Sequence, residues 1–587
     1  MAKIQVLPEN VANQIAAGEV ITRPASCIKE LLENSIDAGS TSISIKIENA
    51  GKKLMEIKDN GSGMSPDDAK TAFLRHATSK IKSIEDLNYI ETLGFRGEAL
   101  ASIASVANVE LLTKDSEEET GTYIEIKGGK IKKEEQKATN TGTIIKVKDL
   151  FYNTPARLKF LKSNYTEETH IIDMVTAEGL ARENISINLQ IDSRETIFFP
   201  QKSTLKDRIR IIYGKDVYDS LIEIKSFSDN VKVYGYVTKP EITKNNRNFQ
   251  FLFVNRRSVQ NKSIMFAIHE GYGTLLMRGK YPVAFIFVDI NPSLVDVNVH
   301  PTKAEVKFRD DRNVFNAVKQ AISDSLGTTS LAPQIATPVM GMLQKDSNME
   351  ERVKSSIKDS IKDFFVSESR TLFNETKAHM SFAKQAKVLQ SEKKKFLWLK
   401  ALGQVHKTYI VGEDNDGLVL IDQHAAHEKV LYEKLLFEVK SKKIKVQEML
   451  IPETIDVTPA EALLIKNNTD IFEKTGFTVE EFGENTYKIS AHPVIIKDKA
   501  PGSFVKDMIE MLIEKGKVNK EELLKDITSR IACRAAVKAG DELRYEEIEA
   551  LISEYFESDA PYSCPHGRPA MIKISFTEME KMFKRKL

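Results

Sequence analysis

Residues 24–63 read PASCIKELLENSIDAGSTSISIKIENAGKKLMEIKDNGSG, and the hydrophobic period of this stretch changes as it is followed. Ile28, Leu31, Leu32 and Ser35 fall on one helical stripe, with Pro24 near its start and Gly39 just past its end. Proline pre-sets the first helical turn and glycine accepts the left-handed residue that closes one, so a helix is expected. Ile43, Ile45 and Ile47 then alternate at period two, the mark of a half-buried strand. Leu54 to Lys58 repeat the alternation and stop at Asp59-Asn60-Gly61-Ser62-Gly63, a glycine-rich turn. Helix, strand, strand and turn in close succession predict an α+β chain.

The chain has 587 residues, which at roughly 150 per domain argues for about three or four domains. With 41% hydrophobic and 29% charged residues it can build several packed cores, which excludes global disorder and a fibrous chain. Lys and Arg total 85 against 84 Asp and Glu, a net charge of +1, so any nucleic-acid surface must be a local patch. The longest apolar run, Val283 to Val288, is far short of the ~18 residues of a membrane span. The start, MAKIQVLPENVANQ, lacks the apolar core of a secretory signal, and Cys27, Cys533 and Cys564 are too few for a disulfide framework. A soluble cytoplasmic protein with no membrane association is expected.

Along the chain, residues 1–203 alternate helical and strand patterns, and 204–328 form a smaller α+β unit with strands VKVYGYV, NFQFLFVN and YPVAFIFVDI. Over 329–395 Thr, Ser, Pro, Gln and Lys accumulate, which predicts a flexible linker. Strands and helices return over 396–587, with an external subdomain at about 441–525.

Glu30 and Asn34 are four apart on the first helix and Asp37 lies near the same face. A carboxylate and an amide converging this way suit a general base and a cation ligand, and suit equally a solvated polar face. Gly94-Phe95-Arg96-Gly97 leads into a helix, whose first amides could cradle phosphate. Arg247, Arg256, Arg257, Arg278, Arg309 and Arg312 gather in the second unit, either to neutralise DNA phosphates without reading bases or as ordinary solvated charge. Toward the carboxy end, Asp422-Gln423-His424-Ala425-Ala426-His427-Glu428 follows the strand GLVLI and opens a helix running to about Phe437. His424 and Glu428 share a helical face, and Cys533, Cys564 and His566 supply thiolate and imidazole from two distant motifs. Imidazole, carboxylate and thiolate together are the donor set of Zn²⁺.

ELLENSIDAG, DNGSGM, RHATSKI, LGFRGEALASI and GTIIKVKDLFYNTPAR, in this order, resemble the GHKL ATPases; with FVNRR and VDVNVHPTKAEVKF they resemble more narrowly the MutL mismatch-repair family. DQHAAHEKVLYE, ACR, CPHGRP and Phe583-Lys584-Arg585 resemble its latent-endonuclease branch. The resemblance implies a GHKL ATPase sandwich at 1–203, a transducer domain at 204–328, and a C-terminal dimerisation and endonuclease domain. Glu30 would activate water, Asn34 hold Mg²⁺, and Asp59 accept from the adenine amino group of ATP. Gly61 and Gly63 would let backbone approach the nucleotide; Thr78, Ser79, Lys80 and Gly94, Phe95, Arg96, Gly97 would form a lid; Thr143 would line the adenine side. Lys303 would reach the γ-phosphate from the second domain.

At the other end, the resemblance makes His424, Glu428, Cys533, Cys564 and His566 ligands of a catalytic Zn²⁺ or Mn²⁺ centre, with Asp422 a catalytic or ligand-orienting carboxylate. Implied partners are double-stranded DNA, a MutS-type mismatch sensor, a second copy of the chain, and a sliding clamp docked on Gln447-Glu448-Met449-Leu450-Ile451-Pro452. The implied setting is a bacterial cytoplasm, at the nucleoid during repair. His269 stands where the family often has arginine, which bears on the strength of a DNA contact. Two rivals stay open: a non-cleaving ATP-driven matchmaker whose metal is structural, and another GHKL machine such as a chaperone or topoisomerase subunit.

Overall fold

The computed structural model of the chain describes residues 17–18, 20–80, 92–94, 97–228, 231–277, 279–296, 306–328, 399–483, 485–497, 499–515, 520–558 and 570–585. Phe95, Arg96, Arg278, Lys303, Cys564, His566 and the linker at 329–395 lie outside the described residues. The chain divides into two compact units, residues 1–331 with 435–531 and residues 332–434 with 532–587.

Helix α1 (Pro24–Asp37) buries the stripe read from the sequence: Ile28, Leu31, Leu32 and Ser35 are all 5% exposed or less. Strands β1 (Ser42–Glu48) and β2 (Leu54–Asp59) pair antiparallel and aim Ile43, Ile45, Ile47, Met55 and Ile57 into the same core. After them come α2 (Ala99–Val106), β3 (Asn108–Lys114), β4 (Gly121–Lys127), β5 (Lys130–Lys137), β6 (Gly142–Lys148), α3 (Asn164–Ala181), β7 (Ser186–Ile191) and β8 (Arg194–Phe199). The eight strands form one sheet in the order β5-β4-β3-β6-β2-β1-β7-β8, in which only β1 and β7 run parallel. Its outward face is polar: Lys146 pairs with Glu56 at 3.1 Å and Lys148 with Glu110 at 2.5 Å across strands. Such pairs contribute roughly 0.2–1 kcal/mol each, against roughly 1.5–3 for each buried isoleucine, so burial decides which face turns inward.

A second sheet follows α4 (Leu205–Asp219). Its strands are β9 (Leu221–Ser228), β10 (Val231–Thr238), β11 (Gln250–Val254), β12 (Arg257–Val259) and, after α5 (Lys262–Tyr272), β13 (Ala284–Ile290), with α6 (Asp311–Thr328) beyond. They line up as β12-β11-β13-β10-β9. The apolar run at 283–288 is continuous because β13 is central and buried on both sides. Ile286 and Val288 pack with Ile264, Ile268, Val318 and Ile322 of the two helices. On the reverse face Phe285 stacks on Phe251 at 5.5 Å and Phe287 on Phe253 at 4.4 Å.

From residue 399 the elements are β14 (Lys400–Val405), β15 (Tyr409–Glu413), β16 (Gly417–Asp422), α7 (Gln423–Ser441), β17 (Val446–Asp456), α8 (Pro459–Asn467), β18 (Thr478–Glu481), β19 (Thr486–Pro493), α9 (Pro501–Lys515), α10 (Lys520–Ala535), α11 (Tyr545–Glu557) and β20 (Met571–Ser575). A four-stranded antiparallel sheet, β14-β15-β16-β20, buries Ile410, Val419 and Ile421 with Ile548, Leu551, Ile552 and Tyr555. Its opposite face leaves Leu402 49% and Ile572 58% exposed. A three-stranded sheet, β17-β19-β18, shares a separate core with Leu464, Phe504 and Ile527. Among the described residues no helix is long and apolar enough to cross a membrane.

Gly63 joins the glycine turn to this frame. It has φ +72, and a Cβ there would sit 1.9 Å from the carbonyl oxygen of Lys114. Gly129, at φ +77, has nothing within 4 Å. Gly63→Ala is therefore expected to lower thermal stability by about 3 kcal/mol or more, against about 1 kcal/mol for Gly129→Ala, because only the first adds a clash to the left-handed penalty. Equal shifts in thermal midpoint would refute this.

Candidate functional site

The first candidate site is built where α1, the end of β2 and two loops meet. Asp59 ends β2 at 9% exposure. Its carboxylate accepts from Ser35 Oγ at 2.8 Å, from the Gly61 amide at 2.9 Å and from the Thr143 amide at 3.3 Å. Thr143 is buried and its hydroxyl lies 3.0 Å from that of Thr113. Ser35 was readable only as part of an apolar stripe; nothing near it in sequence announces Asp59 as its partner.

Glu30 and Asn34 are half-buried on α1, and Asp37 one turn on is the hub of the loops. Asp37 accepts from the amides of Leu93 at 3.0 Å and Gly94 at 3.1 Å, and from Lys80 Nζ at 2.5 Å. Lys80 also donates to Asn34 Oδ1 at 2.9 Å, and its own amide donates to Thr78 Oγ1 at 3.2 Å. Ser79 is exposed, and a Cβ on Gly97 would meet the Ala77 carbonyl oxygen at 2.5 Å. Asn34, Lys80 and Gly94 thus come together, whereas Asp59 and Thr143 form a second group at the end of the sheet. Asp37, which the resemblance left without a role, joins loop to helix. Its spacing from Asn34 was the available signal.

Beneath α1, Glu33 and Glu178 of α3 are buried, with Arg182 and Arg257 beside them. Arg257 is half-buried and donates to the carbonyl of Thr92, whereas Arg247, Arg256, Arg309 and Arg312 are exposed. Burial, and after it Glu33 at close range, pushes the Glu178 carboxyl up to about 6. A carboxyl raised above its unfolded value favours the fold while protonated. This contribution is full below about 4.5 and is lost as pH rises through about 6. It amounts to on the order of 2 kcal/mol. In Glu178→Gln, thermal unfolding between pH 4.5 and pH 8 should lose that part of the pH slope; an unchanged slope would contradict the assignment.

The second candidate site opens α7. Asp422 caps the helix, its Oδ1 accepting from the Ala425 amide at 3.0 Å. Gln423 is fully buried, and its amide donates to the carbonyls of Lys407, Lys538 and Asp541 at 2.9, 3.0 and 3.1 Å. His424 Nδ1 meets the carbonyl oxygen of Val537 at 2.7 Å, while its Nε2 lies 3.9 Å from Glu428 Oε2. Ligand atoms of His424, Glu428 and Cys533 all lie within 4.8 Å of one another, with Glu428 3% exposed. Ligands at about 2.0–2.3 Å from one ion lie about 4 Å or less apart, so closing by under about 1 Å completes the set. Nitrogen, oxygen and sulfur donors in this number suit Zn²⁺.

Gln447 to Pro452 lie on β17, at an edge of the three-stranded sheet. Pairing with β19 breaks between Glu448 and Glu453, and there Leu450 is 99% and Ile451 80% exposed. Gln447 is exposed as well.

Three families match the chain: "Histidine kinase-, DNA gyrase B-, and HSP90-like ATPase" over residues 21–154, "DNA mismatch repair protein, C-terminal domain" over 209–327, and "MutL C terminal dimerisation domain" over 402–543. DNA mismatch repair protein MutL of Clostridium acetobutylicum is 37% identical over 99% of this chain and 100% of its own length. The protein of the same name from Caldanaerobacter subterraneus subsp. tengcongensis is 38% identical over the whole of both chains. A solved N-terminal domain of a DNA repair protein aligns over 54% of this chain and 98% of its own, at 26% identity and a TM-score of 0.48.

Proposed function

The chain belongs to the MutL family of DNA mismatch repair proteins, with an ATPase domain and a dimerisation domain, and from that premise we propose that it is an ATP-driven homodimeric clamp that nicks one DNA strand at a metal centre. The observation that carries the nicking half is the convergence of His424, Glu428 and Cys533, residues from two separate helices, within 4.8 Å. Cys564 and His566 complete the proposed ligand set. A divalent ion held there supplies Lewis acidity toward a phosphodiester and a water acidic enough to be hydroxide near neutrality. Asp422, which caps α7 two residues before His424, orients or deprotonates.

At the other end, Glu30 acts as general base on the attacking water and Asn34 as the Mg²⁺ ligand. Asp59 reads adenine through the oxygens that Ser35, Gly61 and Thr143 already hold in place. The Lys80 contact to Asn34 supports this reading, because a cation already sits at the amide oxygen assigned to Mg²⁺. Lys303 contacts the γ-phosphate, and Thr78 to Lys80 with Gly94 to Gly97 cover the triphosphate. The exposed arginines of the second sheet take DNA phosphates. The Leu402 and Ile572 face of the four-stranded sheet receives a second copy. Leu450 and Ile451 are apolar anchors for a sliding-clamp groove. A MutS-type sensor supplies the mismatch signal, in the cytoplasm at the nucleoid.

Purified full-length chain with Mn²⁺ should convert supercoiled plasmid to the nicked form; its failure to nick, with clamp loaded, would leave a non-cleaving matchmaker. Asp422→Asn should abolish nicking and leave ATP hydrolysis near wild type. Asparagine is an equally good helix cap, so a parallel fall in both activities would point away from chemistry. Glu30→Ala should bind ATP in a filter assay yet turn it over at least about 100-fold more slowly; lost binding would mean that the base is another residue.

A further inference from the structure

The opening of α7 carries two histidines, and only His424 has a part in the reading above. Val537 lies two residues past the end of α10. In a helix that continued through Cys533, the Val537 amide would donate to the Cys533 carbonyl, four residues back. It donates instead to His427 Nδ1, at 3.1 Å. The last helical bond before it runs from Ala536 N to Ala532 O at 2.9 Å. The carbonyl of the same Val537 is the group that His424 Nδ1 meets at 2.7 Å. His424 and His427 are three apart on one face of α7, so a single residue of backbone is clasped at both its amide and its carbonyl.

Chemistry assigns the protons. A carbonyl can only accept, so His424 Nδ1 carries hydrogen, and the lone pair of the neutral ring is on Nε2, the nitrogen nearer Glu428. An amide can only donate, so His427 Nδ1 holds the lone pair and its hydrogen is on Nε2. The two rings are opposite tautomers. One is set to bind a metal; the other has its basic nitrogen committed to the backbone.

We propose that His427 is a positioning residue of the metal centre. By taking the Val537 amide it ends α10 two residues past Cys533 and holds the thiol against His424 and Glu428. This rests on the metal reading given above, and the two can fail separately.

The test titrates full-length protein with Zn²⁺ against a competing chelator, records the thiolate charge-transfer and d–d bands of the Co²⁺-loaded chain, and follows ATP hydrolysis in parallel. His427→Ala should weaken Zn²⁺ binding by about 10–100-fold, as loss of an outer partner typically does, and should lower the thiolate band while ATP turnover stays at wild type. His427→Asn, whose Oδ1 falls where Nδ1 was, should recover most of the affinity and the band. Wild-type affinity and spectrum in His427→Ala would overturn the proposal, as would an Asn variant no better than Ala. A wild-type chain that takes up no Zn²⁺ would sink the metal reading first and this inference with it.

Discussion

A backbone amide left outside a helix or sheet ladder must find an acceptor, and at the candidate sites of this chain that acceptor is a side chain. Asp37 takes the amides of Leu93 and Gly94, Asp59 those of Gly61 and Thr143, and Asp422 that of Ala425. Leaving such an amide buried and unpaired costs roughly 1–3 kcal/mol, so each carboxylate is held in one orientation by the fold itself. Site geometry and the satisfaction of these amides are the same requirement here.

That requirement explains why two apolar frames precede the chemistry. The stripe of Ile28, Leu31 and Leu32 presses α1 onto β1 and β2, and this fixes where Glu30, Asn34 and Asp37 emerge. In the second unit Val419 and Ile421 anchor β16, the strand that delivers Asp422 to the start of α7. Each site grows from the end of a buried strand or helix.

Much of this was legible in the sequence because it is local. The period of residues 24–63 announced α1, β1 and β2, and the spacing of His424 and Glu428 announced a shared face. What escaped depends on distance along the chain. His427 meets Val537 from 110 residues away, and Gln423 reaches Lys538 and Asp541 from 115 and 118. Arg257 read as one more surface cation, yet it lies among Glu33, Asp37 and Glu178, a setting that only the tertiary fold creates. At Gly63, which the resemblance ties to nucleotide approach, the fold adds a neighbour that the sequence did not announce, the carbonyl of Lys114. Periodicity reports what a residue faces, and says little about which atom it meets.

The outermost strand of the large sheet, β5, carries Lys130, Lys132, Lys133 and Lys137, and nearly all of it is exposed. An open margin of this kind offers unpaired amides and carbonyls to any passing chain. Here two such margins brought edge to edge would set rows of ammonium groups against each other, a repulsion that the adjoining glutamates only partly offset. Copies crowded together would therefore resist zipping into ribbons, a safeguard against fibril growth written into the rim of the ATPase domain.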